Sequence, residues 1–407
     1  MKINNEKAFF NISRIFGLGI KALFVIVLNK FEFDSVDDIT LYFISLQSLM
    51  IIYNNHSYFS FYKKTFDANR INEFYDTHSL KKYISLTIYH ILLFYPISLL
   101  LSLFLTKSIL LSLVFSILII LEKIFDELLR FHLFKKYFMI WSKIFIMKVS
   151  LPIILGFPLL IFFDKSYVFF LLLLLTHLCI LLVFLDKGIF RLSIKIIQYL
   201  RLNHFFYYLK DYILIHFKKQ LYSILTGNVI QIDKIFLATA GAISFLPTYY
   251  IMFQITNVIN VFTELFYIAP RRSVFVSKTK SIRHLIKPKF FFFILLFGFL
   301  ISYTILCVVS FFELIDNINF NVYLIYMFAF IAFCLVKPIG QYLFWNSSIK
   351  KQIFLELIYF TIAITLFIIF FHNSEINILS MVIIFLISNV MRLILYLTNF
   401  LYHVRKN

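Results

Sequence analysis

Long apolar runs recur along this chain, and they constrain its fold more than any other feature. Each is about 20 residues long, the length that a helix needs to cross a bilayer. We number the runs as spans one to twelve, and to within a few residues they cover 9–30, 39–61, 83–105, 108–129, 142–163, 167–185, 219–240, 246–269, 290–312, 321–345, 352–371 and 376–400. A soluble domain of 407 residues would not arrange 61% hydrophobic residues in this way. The sequence therefore predicts an all-α integral membrane protein.

The loops between the spans alternate between basic and acidic or neutral. Basic loops hold pairs such as Lys135 with Lys136 and Arg271 with Arg272, whereas the short loops of the other parity hold acids such as Asp37. Lys and Arg concentrate in cytoplasmic loops of membrane proteins. Both termini are therefore predicted to lie in the cytoplasm. The same loops account for most of the net charge of +19, so nucleic-acid binding is not expected.

The longest loop divides the chain into two halves. It covers residues 187–218 and contains basic and polar residues at helical spacing, namely Arg191, Lys195, Gln198 and Arg201. That spacing predicts a basic amphipathic helix on the inner leaflet, with a plain solvated linker as the alternative. We expect a six-helix bundle over 1–186, the linker over 187–218 and a second six-helix bundle over 219–407. Two bundles joined in this way are typical of transporters that rock around a central site.

Several kinds of chemistry are not expected from this sequence. It lacks a G-x-x-x-x-G-K phosphate loop and any His/Cys metal spacing, and its outer loops are too short to hold an enzymatic domain. We therefore expect no enzyme activity, no metal and no cofactor. Cys179, Cys307 and Cys334 lie within apolar runs and are predicted to be reduced core residues. No small-residue cleavage site accompanies the first apolar run, so it is predicted to remain as a helix.

A few cations lie inside the apolar runs. A lone charge at the centre of a membrane helix costs roughly 3 kcal/mol, so such residues usually face a wet cavity or a partner. Lys21, Lys234, Lys337 and Arg392 occupy positions of this kind, and Arg14 precedes Lys21 by two helical turns on the same face. Snorkelling to the inner surface is the alternative for Arg14, and partial snorkelling is the alternative for Lys337 and Arg392. Because most of these charges are positive, the predicted cavity suits an anion.

Span four ends in a cluster of charges. Glu122, Asp126 and Arg130 follow one helical row, and Lys123 with Glu127 forms a second pair. The cluster is interpreted as a salt-bridge network or as the inner mouth of the cavity.

Three further charged or titratable residues lie in or near spans. His177 of span six is interpreted as a buried, hydrogen-bonded histidine, with a proton site as the alternative. Lys148 and Glu356 lie nearer the inner surface and are predicted to snorkel.

Spans seven and eight carry the densest polar sequence. Asp233 and Lys234 are adjacent, so they point about 100° apart on a helix and are predicted not to neutralise each other. In span eight, Gln254, Asn257, Asn260 (or its neighbour Val261) and Glu264 form a polar stripe that should face protein or water. Hydrogen bonding between helices is the alternative to a binding role for this stripe.

Parts of spans two, seven and eight resemble a known family. The matching segments are Asp233-Lys234-Ile235-Phe236-Leu237, the aromatic-rich stretch 249–270, and Ser45-Leu46-Gln47-Ser48-Leu49. They resemble O-antigen flippases, the Wzx-type members of the multidrug/oligosaccharidyl-lipid/polysaccharide exporter superfamily. The expected twelve-span topology and basic inner loops are similar to that family over the whole chain.

The resemblance implies a flippase of the bacterial inner (plasma) membrane. It would carry a polyprenyl-diphosphate-linked oligosaccharide, an O-antigen or similar repeat unit, to the outer leaflet by alternating access coupled to H⁺ or Na⁺. Expected partners are this lipid-linked oligosaccharide, membrane lipids, and polymerase or chain-length proteins of the same pathway. We assign diphosphate binding to Lys21, Lys234, Lys337 and Arg392, an entry contact to Arg14, sugar contacts to Gln254 and Asn257, and ion coupling to Asp233 and Glu264.

Three alternatives remain open at this stage. A multidrug antiporter of the same superfamily would share the fold, but its cavity usually favours acids. A major-facilitator transporter would carry a Gly- and Arg-rich signature between spans two and three, which residues 63–82 lack. A membrane polymerase or acyltransferase usually needs a larger outer loop.

Overall fold

The computed structural model describes residues 2–53, 77–134, 137–184, 202–268, 271, 287–311, 319–373 and 376–406. Within these ranges the chain is helical and contains no strand. Its α-helices are α1 (Lys2–Lys30), α2 (Val36–Met50), α3 (Thr77–Thr106), α4 (Ile109–Phe134), α5 (Phe138–Phe163), α6 (Ser166–Phe184), α7 (Leu202–Asp211), α8 (Phe217–Asn228), α9 (Ile232–Thr239), α10 (Leu246–Phe262), α11 (Pro288–Phe311), α12 (Phe320–Asn346), α13 (Ile349–Asn373) and α14 (Ile378–Lys406).

Eight helical segments in the described ranges are long and apolar enough to cross a membrane, judged by length and composition. They correspond to predicted spans three, five, six and eight to twelve, and their ends agree with the prediction to within a few residues. The described part of the chain is therefore all-helical and carries helices of the length and composition of a multi-pass membrane protein. The described parts of the other four predicted spans lie in α1, α2, α4 and the α8–α9 region, which are more polar, shorter or interrupted.

Span seven was predicted as one continuous helix, and this prediction is wrong. Helix α8 ends at Asn228, a turn occupies residues 229–231, and α9 begins at Ile232. The backbone N–H of Gln231 donates to the carbonyl oxygen of Asn228 at 3.0 Å, which closes the turn. Gly227 and Asn228 are both weak helix formers, and glycine in a helix interior costs about 1 kcal/mol relative to alanine. The interruption follows from these two residues.

The chain forms two compact units. Unit 1 contains Met1–Lys21 and Ser45–Ile224, and unit 2 contains Ala22–Ile44 and Leu225–Asn407. The division into segments 1–186, 187–218 and 219–407 stays a prediction. The amphipathic helix expected around Arg191 to Arg201 lies outside the described residues. From residue 202 the chain runs through α7, a π-helical segment (Tyr212–His216) and α8.

The core of unit 1 is formed by α4, α5 and α6. Its buried residues are Phe125, Leu128, Leu129, Trp141, Ile144, Ile180 and Leu181. A Cβ atom built on Gly17 of α1 would lie 2.5 Å from the Phe145 ring of α5, so any larger residue would require this ring to move. Gly17 therefore lets α5 approach α1 closely.

The core of unit 2 is built around α10, α12 and α14. The rings of Tyr326 and Phe330 lie 5.3 Å apart, and each also contacts Phe385 of α14. Gly298 of α11 lies against the backbone of Ile259, with its ideal Cβ position 3.1 Å from the Ile259 Cα. Aromatic rings and a small residue thus bring these helices into close contact.

The cysteine prediction is partly wrong. Cys334 is buried, but Cys179 and Cys307 are exposed on the surface of their helices. In a membrane helix an apolar sequence environment does not imply a core position, because the lipid-facing surface is apolar too.

Candidate functional site

Helices of unit 1 bring ionisable side chains to one place in the protein interior. Glu122 of α4 forms an ion pair with Lys148 of α5 and lies 3.0 Å, Oε1 to Nε2, from His177 of α6. The charges of both Glu122 and Lys148 also act on Lys21 of α1. The side chain of Glu122 is only 7% exposed and that of His177 only 1%. We call Lys21, Glu122, Lys148 and His177 the unit 1 cluster.

His177 is held in place on both sides of its ring. Its Nδ1 lies 2.8 Å from the carbonyl oxygen of Leu173, one turn earlier in α6. The edge of the Phe125 ring packs against it, with ring centroids 5.0 Å apart and planes at 88°. The interpretation of His177 as a buried, hydrogen-bonded histidine is confirmed.

The remaining charges at the end of α4 pair among themselves. Lys123 contacts Glu127 at 2.6 Å, and Arg130 contacts Asp126 at 2.6 Å. These pairs confirm the predicted salt-bridge network. Glu122 does not join its predicted row, because it turns to Lys148 and His177 on other helices.

The snorkelling predictions for Lys148 and Glu356 are wrong. Lys148 pairs with Glu122, and the fully buried Glu356 pairs with Arg392. A charge that meets an opposite charge nearby has no need to reach the membrane surface.

Asp233 and Lys234 of unit 2 also depart from the prediction, because they neutralise each other. Lys234 Nζ lies 2.9 Å from Asp233 Oδ1, and both side chains are inaccessible to solvent. The reason is the helix break. Both residues stand in the first turn of α9, where the long lysine chain folds back and also donates to the carbonyl oxygen of Ile230 at 2.6 Å.

Aromatic side chains complete the environment of this pair. Tyr249 and Tyr326 donate hydroxyl hydrogen bonds to Asp233 Oδ2 at 2.7 and 3.0 Å. The Phe253 ring centroid lies 3.9 Å from Lys234 Nζ, within cation–π range. Asp233 and Lys234 are therefore satisfied by protein groups on all sides that the structure describes.

Arg392 is bound in a similar way. Its Nε and NH2 donate to the two carboxylate oxygens of Glu356 at 3.1 and 2.6 Å, a two-pronged contact. Tyr396 donates to the same carboxylate. The Arg392 guanidinium also lies 5.6 Å from the Tyr359 ring centroid. Arg392 is held as an internal counter-ion of Glu356.

Lys337 is the most exposed of the predicted unit 2 cations. Its ammonium contacts Glu264 at 2.6 Å and donates to Asn260, whose amide donates in turn to Asn257 Oδ1 at 2.7 Å. The side chains of Lys337 and Glu264 are 18% and 43% exposed. Glu264 lies in a π-helical segment (Thr263–Ile268) at the end of α10. Asn257 and Glu264 of the span-eight stripe are thus linked through Asn260 and Lys337, in a hydrogen-bonded chain that ends at the partly exposed Glu264.

The other predicted site residues are placed as follows. Gln254 and Asn257 are buried, as expected for a stripe that faces protein. The side chain of Arg14 lies outside the described residues. Among the residues that the structure does describe, no group of three or more His, Cys, Asp or Glu side chains is arranged to hold a metal ion.

Sequence reasoning missed the partners of these charges. Glu122 and His177 are 55 positions apart, and Glu356 and Arg392 are 36 apart. No periodic pattern links residues at such separations. The one available signal was that Lys148 and Glu356 occur in runs that are otherwise strongly apolar.

No known protein family profile matches this chain, and no curated protein sequence matches it. Among solved structures it is similar, at 12% identity, to a MOP superfamily transporter from Pyrococcus furiosus, with a TM-score of 0.48 over 99% of this chain and 96% of that one. It is similar at 12% identity to a MATE protein in complex with MaL6, with a TM-score of 0.41 over 99% and 97%. An outward-facing multidrug resistance MATE family transporter gives 12% identity and a TM-score of 0.38 over 98% and 95%. Scores of this size do not assign the chain to a family.

Proposed function

We propose that this chain is a membrane transporter for an anionic, lipid-linked substrate. The substrate that fits best is a polyprenyl-diphosphate-linked oligosaccharide, carried to the outer leaflet of a bacterial inner membrane by alternating access. The observation that supports this is the unit 1 cluster, in which Glu122 is shared by Lys148 and His177 and also acts on Lys21. Positive charges therefore outnumber negative ones among these four residues. A diphosphate is stabilised in a low-dielectric region by charge-assisted hydrogen bonds from such cations.

The buried acids argue against a cationic drug as substrate. Glu122, Asp233 and Glu356 each contact a cation of the protein. A cationic drug would have to displace that cation and leave its charge uncompensated, which is costly in a buried site. The same cost applies to an anion that displaces the acid of such a pair, so our preference for an anionic substrate depends on the net positive charge of the unit 1 cluster.

The assignment of roles changes accordingly. Lys234 and Arg392 serve as internal counter-ions, so we assign the diphosphate to Lys21 and Lys148 of unit 1. Within unit 2, taken by itself, Lys337 is proposed as a separate and weaker anion contact. Gln254 and Asn257 remain the proposed sugar contacts, and Glu264 remains a proposed ion-coupling residue because its carboxylate is accessible. Asp233 loses its coupling role in this proposal, since four donors of the protein occupy its carboxylate.

The proposal is tested by ligand binding to the full chain in lipid nanodiscs. Undecaprenyl diphosphate should bind, whereas undecaprenol and tetraphenylphosphonium should not compete with it. The Lys148→Gln variant removes one charge-assisted hydrogen bond and should weaken undecaprenyl diphosphate binding by about 10- to 100-fold. Lys143→Gln is the matched control, because Lys143 lies on the same helix but is exposed.

Either of two outcomes would contradict this proposal. One is equal undecaprenyl diphosphate affinity in the Lys148→Gln and Lys143→Gln variants. The other is preferential binding of tetraphenylphosphonium. In cells lacking the protein, lipid-linked single repeats should accumulate facing the cytoplasm. Single repeats that face outward would instead indicate a polymerase.

A further inference from the structure

Both ring nitrogens of His177 face hydrogen-bond acceptors. Nδ1 lies 2.8 Å from the Leu173 carbonyl oxygen, which accepts but never donates, so Nδ1 must carry a hydrogen. Nε2 lies 3.0 Å from Glu122 Oε1. A neutral imidazole with its hydrogen on Nδ1 presents a bare lone pair at Nε2, and a carboxylate oxygen opposite it would repel that lone pair. A proton must therefore lie between Nε2 and Oε1.

We propose that Glu122 and His177 together form a proton-binding site, and that this proton is linked to anion binding by Lys148 and Lys21. The shared proton is carried either by the imidazolium or by the Glu122 carboxyl group. In both cases the Glu122–His177 pair is neutral when the proton is present and carries one negative charge when it has left for water. This inference rests on the proposed function of the unit 1 cluster.

The charged groups around the pair determine the direction of the linkage. Lys148 of α5 contacts Glu122 Oε2, and Lys21 of α1 is influenced by Glu122 and Lys148. On α4, Lys123 and its acidic neighbours are occupied with one another. Helix α6 contains no Asp, Glu, Lys or Arg, so His177 is its contribution to the pair. The lysines thus meet a neutral pair in the protonated state and a competing anion in the deprotonated state.

Anion and proton should therefore bind together. When the proton leaves, Glu122 becomes an unshared carboxylate beside Lys148 and competes with an external anion for it. Loss of the proton also places Oε1 and the bare Nε2 opposite each other, so the contact between α4 and α6 must open. Because linkage is reciprocal, anion binding must draw a proton into the site.

Inorganic sulfate is a suitable probe, since its charge does not change over the relevant pH range. For the full chain in nanodiscs, sulfate affinity should fall by about 10-fold from the low-pH to the high-pH end of the range over which the protein stays folded. Sulfate addition in weakly buffered solution should cause proton uptake, seen with a pH indicator. Histidine-labelled protein should show an ¹⁵N signal set in which Nδ1 bears a hydrogen-bonded proton and Nε2 either bears one or accepts one from the Glu122 carboxyl group, and this set should be absent from His177→Gln.

Two substitutions should remove the pH dependence in opposite ways. Glu122→Gln keeps the pair neutral, so sulfate should bind at every pH as tightly as it binds to wild type at low pH. His177→Gln leaves Glu122 ionised, so sulfate should bind at every pH as weakly as it does to wild type at high pH. His372→Gln is the control, because His372 is exposed at the end of its helix, and this variant should keep the wild-type slope.

The outcomes separate this inference from the proposed function. Sulfate affinity that is independent of pH in the wild type, without proton uptake, overturns the proton site and leaves the anionic substrate standing. Absence of both sulfate and undecaprenyl diphosphate binding at every pH overturns the proposed function. If Glu122→Gln does not fold, proton uptake by wild type and the slope of His177→Gln decide the matter.

Discussion

Unit 1 and unit 2 accommodate buried charge in different ways. In unit 2, Lys234, Lys337 and Arg392 each have their own carboxylate, and tyrosine hydroxyls or aromatic rings surround the two deepest pairs. In unit 1, Glu122 is shared among cations from different helices. The difference teaches that a charge within an apolar helix is not by itself evidence of a ligand. What matters is whether the protein already balances it.

The largest expected effect breaks a balanced pair of unit 2. Arg392→Met leaves Glu356 buried without a counter-ion and should lower the free energy of unfolding by about 3–5 kcal/mol. Adding Glu356→Met should recover most of that loss, because two apolar side chains replace the ion pair. Equilibrium unfolding in mixed micelles measures both variants, with Lys350→Met at an exposed position of α13 as the control. A stable Arg392→Met protein that fails to bind undecaprenyl diphosphate would show that Arg392 is a substrate-binding residue. The charges of unit 2 would then not be purely internal ion pairs.

A smaller effect is expected at the accessible end of unit 2. Lys337 and Glu264 are partly exposed, so Lys337→Gln should cost only about 1 kcal/mol of stability. Its undecaprenyl diphosphate affinity should fall by less than that of Lys148→Gln. Titration of both variants with undecaprenyl diphosphate shows which of the two lysines contributes more to anion affinity. A greater loss at Lys337 would place the main contact in unit 2.

The smallest effect concerns Asp37, a unit 2 residue at the start of α2. Partial burial, and then the neighbouring charge of Asp38, raises the pKa of Asp37 from an ordinary 3.8 to about 6. Above that pH the folded protein holds a charge that it disfavours, whereas below about pH 4 both states are protonated and the penalty disappears. Asp37→Asn should therefore stabilise the protein at about pH 7.5 by a few tenths of a kcal/mol, and hardly at all at about pH 4.

Thermal unfolding at the two pH values measures this, and Glu32→Gln serves as an exposed control. Equal effects of Asp37→Asn at both pH values would show that its carboxyl group titrates normally. Asp37 would then not be an example of a buried charge that the protein leaves without compensation.

The sequence predicted those features that depend on neighbouring residues. Continuous apolar runs located the eight helices that can cross a membrane, and i,i+4 spacing located the Lys123–Glu127 and Asp126–Arg130 pairs. The tertiary partners could not be predicted from the sequence, because they lie on different helices. Glu122 of α4 contacts His177 of α6, and Asp233 of α9 accepts a hydrogen bond from Tyr326 of α12. Gly227 and Asn228 are weak helix formers and indicate the break in span seven. The apolar residues around them nevertheless led to the prediction of a continuous helix.

That break has a consequence for how charged membrane residues are interpreted. Carbonyl groups near an interruption lose their usual partners, and here Lys234 donates to Ile230 O at 2.6 Å while Tyr359 donates to Val229 O at 3.4 Å. The Lys234 ammonium thus supplies the Ile230 carbonyl oxygen with a hydrogen-bond donor beside the helix break. A lysine in the first helical turn after such an interruption is therefore to be considered first as a hydrogen-bond donor to backbone carbonyl groups, and only then as a substrate-binding residue.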